Sequence, residues 1–184
     1  MTNYIALLRG INVSGHNKIK MADLKQLFLG LNFQNIRTYI QSGNVLFQSK
    51  EKSKTKIAVT ISEAIKNKFG YDIKIVVITK NDIKTVFSSN PFLKNRTPDI
   101  TKLCVTFLSN NPNTDGLDQL EEIANKSEDE FKINGKFVYL HCPSSFAKTK
   151  LTNNLFERKL KVDATSRNWK TITKLVELSN ESFE

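Results

Sequence analysis

RTYIQSGNVLF, residues 37–47, decides how this chain is organised. Two strand-like runs, 37–40 and 45–47, flank Ser42-Gly43, and a glycine there supplies the positive φ that a tight two-residue reversal needs. Upstream, residues 4–8 are apolar on both faces and predict a buried strand, while Met21, Leu24, Leu27, Phe28 and Leu31 recur at helical spacing. Downstream, Ile57, Ile61 and Ile65 set a helix over 54–69, and a strand follows at 73–78. The first half therefore reads βαββαβ.

The pattern then restarts. A short helix at 81–87 leads to a linker marked by Asn90-Pro91 and Arg96-Thr97-Pro98. A strand at 103–108 and an acidic helix at 115–125 follow. FKINGKFVYLH, residues 131–141, then forms a second hairpin around Asn134-Gly135. Leu151, Leu155 and Leu160 mark another helix, and Trp169, Ile172, Leu175 and Val176 mark the last one. The fold class is α+β: two tandem ferredoxin-like (split βαβ) subdomains packed together. Residues 1–90 form a βαββαβ subdomain, and residues 91–184 a βαββα subdomain with a final helix.

Composition sets the class limits. A chain of 184 residues with 39% apolar content can bury a proper core without staples. Cys104 and Cys142 lie in apolar runs outside any CxxC or Cys/His cluster, so the sequence predicts buried thiols, with no disulfide framework and no metal site. The apolar run at 4–8 is far short of the roughly 20 residues that span a bilayer, so a cytoplasmic protein with no membrane partner is expected. The net charge of +10 is unevenly spread. Residues 1–90 carry 14 Lys and Arg against 5 Asp and Glu, while residues 91–184 carry 14 against 13.

Three polar segments interrupt this apolar patterning at chain reversals: RGINVSGHNK at 9–18, QSGN at 41–44 and TSRNW at 165–169. The first lies between a strand and a helix, where a glycine-containing loop can aim backbone N–H groups at an anion and add the helix dipole. Arg9, Gly10, Asn12, Gly15 and Lys18 are its candidates. The spacing Gly10-x4-Gly15 approaches a phosphate-binding P-loop, but His16 and Asn17 stand where Lys and Ser/Thr are required. In QSGN, Gln41, Ser42 and Asn44 offer paired amides and a hydroxyl to a planar edge or a carboxylate. In TSRNW, Thr165, Ser166 or Asn168 can cap the last helix, and Arg167 offers the bidentate fork that Lys lacks. An arginine beside a helix N-terminus opposes the dipole and so hints at an anion. Trp169 offers either a stacking wall or a core residue. KTKLTNN at 148–154 adds Lys150 as a cap neighbour or phosphate contact.

Chemistry beyond binding is thinly marked. Ser14 and His16 share a loop with no third group to orient the imidazole, and His141 and Cys142 are strand neighbours whose side chains point to opposite faces. Neither set assigns a catalytic residue, a cofactor or a metal.

The motifs LLRGINVSGHNKIKMADLK, RTYIQSGNVLF, YLHCP with KTKLTNN, and TSRNWKT stand in one order over roughly residues 4–176. Together they resemble the bacterial domain of unknown function 1697 family. The resemblance implies a two-subdomain α+β protein and brings no activity. Its motif residues here are Arg9, Gly10, Asn12, Gly15, Gln41, Ser42, Gly43, Asn44, Lys150, Thr165, Arg167, Asn168 and Trp169. Ser14 stands where the family shows a glycine.

The combined expectation is binding of a small anionic ligand, a phosphorylated or carboxylated metabolite or nucleotide, in a cleft between the subdomains. Arg9 and Arg167 would grip it, Gly10 and Gly15 would offer N–H groups, Gln41, Asn44 and Asn168 would orient it, and Trp169 would form a wall. RNA binding on a basic sheet face, with Tyr39 and Phe47 as the available aromatics, is the first alternative. A protein-interaction module whose polar segments are only turns and caps is the second.

Overall fold

A computed structural model describes residues 1–181, so residues 182–184 of the expected second subdomain lie outside it. In chain order it contains β1 (Thr2–Leu8), α1 (Met21–Gly30), β2 (Gln34–Tyr39), β3 (Asn44–Ser49), α2 (Lys54–Phe69), β4 (Ile75–Thr79) and α3 (Lys80–Ser88). Two short 3₁₀ turns precede β5 (Leu103–Leu108), α4 (Leu117–Ala124), β6 (Glu130–Asn134), β7 (Phe137–His141), α5 (Asn153–Leu160), β8 (Ala164–Asn168) and α6 (Trp169–Asn180). The chain gathers into two compact units. One comprises Met1–Ile83 with the chain from Leu175, and the other Lys84–Lys174.

The first unit holds a four-stranded sheet in the order β2-β3-β1-β4, every neighbouring pair antiparallel. Tyr4, Ala6 and Leu8 alternate along one face of β1 and join Leu24, Leu27 and Phe28 of α1 and Ile57, Ile61 and Ile65 of α2 in one core. The i, i+4, i+8 spacing of the three isoleucines places them along one stripe of α2. Ile5 and Leu7 on the other face are also buried, which is why β1 is apolar at every position from Tyr4 to Leu8. Phe28, Phe33, Phe47 and Tyr4 form a ring cluster with centroid separations of 4.6–5.8 Å. Such contacts contribute about 0.5–1.5 kcal/mol each beyond area burial. Ser53 caps α2 through Lys56 N, and Gly70 ends it in the left-handed conformation at φ 77.

The second unit repeats the plan with the order β6-β7-β5-β8, again wholly antiparallel. Its core joins Cys104, Leu108, Val138 and Leu140 of the sheet to Leu120 of α4 and Leu155, Phe156 and Leu160 of α5. The expected linker is ordered. Asn90 caps the turn Pro91–Leu93, Asp99 caps Ile100–Lys102, and the Arg96 guanidinium lies 4.7 Å from the Phe92 ring centroid while bonding Glu130.

Two elements differ from expectation. TSRN at 165–168 is not a loop before a helix but most of strand β8, paired with β5 through Val105↔Arg167 and Phe107↔Thr165. Its polar side chains are accommodated because the Ser166 hydroxyl lies 2.6 Å from both Thr106 Oγ1 and Asn153 Oδ1. The order of the second unit is therefore βαββαβα rather than βαββα with a final helix. The first hairpin is also wider than a two-residue turn. Tyr39 pairs with Asn44, leaving Ile40, Gln41, Ser42 and Gly43 in the reversal. In the second hairpin Asn134 pairs with Phe137, so Gly135 and Lys136 form the turn.

Candidate functional site

The first two polar segments meet at one end of the first sheet. β1 ends there, β2 ends there, and β3 and β4 begin there, as the pairings Leu7↔Asn44 and Leu8↔Ile75 require. Leu8 N donates to Gly43 O at 2.9 Å and Arg9 N to Lys74 O at 3.0 Å, which anchors the start of the β1–α1 loop.

Asn12 holds the two loops together. Its amide nitrogen donates to Ile19 O and to Gln41 O, both at 2.9 Å, and its amide oxygen accepts from Ile19 N at 2.9 Å. The side chain is thus a clamp, and its role is to position the loops. Asn17 adds a second tie from its amide nitrogen to Gly10 O at 3.1 Å. Gly43 explains the tightness of the junction. A Cβ there would lie 2.7 Å from Leu8 Cβ and 2.9 Å from Ile11 Cδ1, and its φ is +75. Asn44 is fully buried with its amide nitrogen on Tyr39 O and Ser42 Oγ, so it shapes the turn from within.

What remains at the surface is a polar, cationic edge. Gly10, Gly15, His16, Lys18 and Gln41 are exposed, and Arg9 is half-buried. Gly10, Asn12, Ser14, Gly15 and Asn17 all have positive φ, so the backbone repeatedly reverses hand within eight residues. Such alternation turns successive N–H groups toward a common point. The N–H groups of Ser14 and Gly15 have no acceptor among the described residues. The Lys18 side chain lies across Gly15, its Cε 3.8 Å from the Cβ position of that residue. At the end of the loop α1 starts at Met21, and its N-cap residue Lys20 makes no side-chain cap hydrogen bond.

Sequence reasoning missed two residues here. Asn17 carried only the weak signal that Asn tolerates left-handed backbone. Ile40 carried none. It adopts φ +48, costly for a β-branched side chain, and is 47% exposed beside the QSGN turn. Val13 on the adjoining loop is 55% exposed, so both loops present an apolar side chain next to the cationic edge.

The remaining candidates, Lys150, Arg167, Asn168 and Trp169, belong to the second unit. Arg167 is not an exposed residue at a helix N-terminus. It is only 7% exposed on β8, and its guanidinium donates to Thr165 Oγ1 at 2.9 Å and to Ser166 O at 2.8 Å. Burial pulls its pKa down to about 10. Asn168 is the residue that caps α6, its amide oxygen accepting from Thr171 N at 2.8 Å. Trp169 is buried and stacks on Phe87 with ring centroids 5.5 Å apart and planes 9° from parallel, which makes it a packing residue. Lys150 is exposed on a hollow of about 280 Å³ that Thr152, Asn154 and Arg158 also line. Thr152, not Lys150, caps α5.

The nucleophile readings gain nothing from the geometry. Cys104 and Cys142 are free and buried. Burial pushes the Cys142 thiol up to about 11, helped by Asp129, and raises Cys104 further. Neither is a thiolate near neutral pH. The His141 ring faces Glu130, Nδ1 to Oε1 at 3.0 Å. Among the described residues no group of three His, Cys, Asp or Glu could hold a metal ion, and no helix is long and apolar enough to cross a membrane. Phe47 lies in the first core and cannot stack a base.

A model of the family described as protein of unknown function, DUF1697, matches residues 1–139. The chain belongs to this family. The matched span contains both loops of the first unit and stops before Lys150 and β8. Comparison with curated proteins finds no match. Among solved structures, the conserved bacterial protein SP0830 from Streptococcus pneumoniae is similar at 23% identity with a TM-score of 0.72. The likeness covers 97% of this chain and 99% of that one, and at this identity it speaks to the fold.

Proposed function

We propose that this DUF1697 member is a cytoplasmic protein of two ferredoxin-like units whose first unit binds a small anion on its paired loops. The ligand class is a phosphorylated or carboxylated metabolite or nucleotide. The observation that carries the reading is the Asn12 clamp. It fixes the β1–α1 loop against the β2–β3 turn, with Lys18 and Gln41 exposed, the Ser14 and Gly15 N–H groups without an acceptor among the described residues, and the half-buried Arg9 at the start of the loop. A cationic edge with oriented amides suits an oxyanion. Arg9 supplies the fork, Lys18 a mobile charge, and Val13 with Ile40 an apolar shelf for the rest of the ligand. The strand order β2-β3-β1-β4, repeated as β6-β7-β5-β8, supports the ferredoxin-like reading.

The test is titration of the 15N-labelled protein with inorganic phosphate, AMP and a ten-nucleotide RNA at low and high salt. Binding by phosphate or AMP should shift amides in residues 9–18 and 41–44. Arg9→Ala and Lys18→Ala should each weaken it about tenfold, as loss of a charge-assisted contact does, with the melting temperature lowered by no more than a few degrees. Saturable shifts elsewhere, or variants that bind as well as the parent, would overturn the assignment. Binding by RNA alone that collapses with salt would move it to a nucleic-acid surface.

A further inference from the structure

A hollow of about 670 Å³ opens at the other end of the first sheet, where β1 and β2 begin and β3 ends. This volume falls in the range of small-molecule sites. Its apolar lining comes from Leu31 and Phe33, in the connection from α1 to β2, and from Ile57 and Val59 of α2. Phe33 and Ile57 are core residues, whereas Val59 is 49% exposed. Lys56, Val59 and Thr60 stand at i, i+3 and i+4, so one face of α2 carries a cation, an apolar group and a hydroxyl into the same opening.

The rim carries two lysines against one carboxylate. Lys50 and Lys56 both line the hollow, and neither has an ion-pair partner among the described residues. The carboxylate beside them, Glu51, accepts from the Ser53 N–H at 2.7 Å and feels the charge of Lys56, so it offsets only part of the positive rim. Lys56 stands in the first turn of α2 with no acidic residue in that turn, against the preference of a helix N-terminus for negative charge, while its neighbour Lys54 is paired with Asp82 at 3.1 Å. An anion seated between Lys50 and Lys56 offsets the remaining positive charge, while an apolar chain attached to it covers Phe33, Ile57 and Val59.

We infer that this hollow is a second binding site, taking a small amphipathic carboxylate with the head between Lys50 and Lys56 and the tail on the apolar lining. The site does not depend on the anion-binding reading of the loops, from which the length of the sheet separates it.

The test compares decanoate with decanol, the same tail without the charge, by calorimetry and amide shifts of the full chain. Decanoate should give saturable shifts in residues 31–34, 49–51 and 55–60, and decanol should shift the same residues with at least about fivefold weaker affinity. The double variant Lys50→Ala/Lys56→Ala should remove that difference, lowering decanoate affinity and leaving decanol as it was. Val59→Asp, at a helix position that is 49% exposed, should abolish the shifts of both probes in these residues. Absence of saturable binding, equal affinities for the two probes in the parent protein, or indifference to Val59→Asp would overturn the proposal.

Discussion

The two units share one topology but use their polar motifs in opposite ways. In the first, the polar segments are loops at the end of the sheet, and their internal hydrogen bonds leave glycines, Lys18 and Gln41 facing outward. In the second, TSRN is a strand whose threonine and arginine are buried beside the neighbouring strand. The same residue types therefore mark a surface in one unit and interior scaffolding in the other. Motif resemblance alone does not separate a ligand contact from a structural one. Burial and hydrogen-bond partners do.

The hairpins offer the hardest test of this contrast. Gly43→Ala meets Leu8 and Ile11 within 3 Å at a positive φ and should cost about 3–5 kcal/mol, overpacking added to backbone strain. Gly135→Ala has the same backbone handicap at φ +57 with open space around it, and should cost only about 1 kcal/mol. Urea denaturation of both variants decides whether the first hairpin is the tighter junction. Equal losses would mean that Leu8 and Ile11 yield.

The arginines come next. Arg167→Ala should destabilise by about 2–4 kcal/mol, because it strips hydrogen bonds from a buried site. Arg9→Ala, at a half-buried loop position, should cost less than about 1 kcal/mol while weakening anion binding. The reverse ranking would make Arg9 the structural residue. Asn12→Ala should fall between them at about 2 kcal/mol, since three hydrogen bonds go at once. It should also loosen the loops, seen as faster hydrogen exchange in residues 10–19. Ile40→Asn should instead stabilise by up to about 1 kcal/mol, by relieving the left-handed strain at a β-branched residue. A variant that is more stable but binds anions less well would show that the strain serves the site.

Most of the fold was legible from apolar periodicity. β1 reads as buried because its other face is filled too, and α2 reads as a helix because Ile57, Ile61 and Ile65 all face the core. β8 was illegible because its burial is paid in hydrogen bonds rather than hydrocarbon: Ser166 is held by Thr106 and Asn153, distant in sequence. The meeting of the first two polar segments followed from their places at strand ends. The agent of that meeting did not, because an amide that clamps backbone and an amide that reads a ligand look alike in sequence. Trp169 was ambiguous for a similar reason, and its parallel stacking on Phe87 resolves it as packing.

The smallest expected effect compares two carboxylates in solution. Asp82 lies in the first turn of α3, where burial opposes its ionisation but the Thr79 N–H at 2.8 Å and Lys54 at 3.1 Å outweigh that and hold its pKa below the usual value. Glu130 in the second unit is also depressed. Desolvation again opposes, and His141 and Arg96 prevail. A carboxyl with a lowered folded-state pKa adds stability above its unfolded pKa, and that contribution disappears as pH falls through the folded value. Both proteins Asp82→Asn and Glu130→Gln should therefore lose less stability than the parent between about pH 5 and pH 3. The Asp82 variant should show the larger change, because its side chain is 27% exposed against 45% for Glu130 and solvent screens it less. Urea midpoints measured across that interval give the two differences directly. A larger change for Glu130→Gln would mean that the paired contacts to Arg96 and His141 outweigh burial, and that the ordered segment before β5 is tied down by charge.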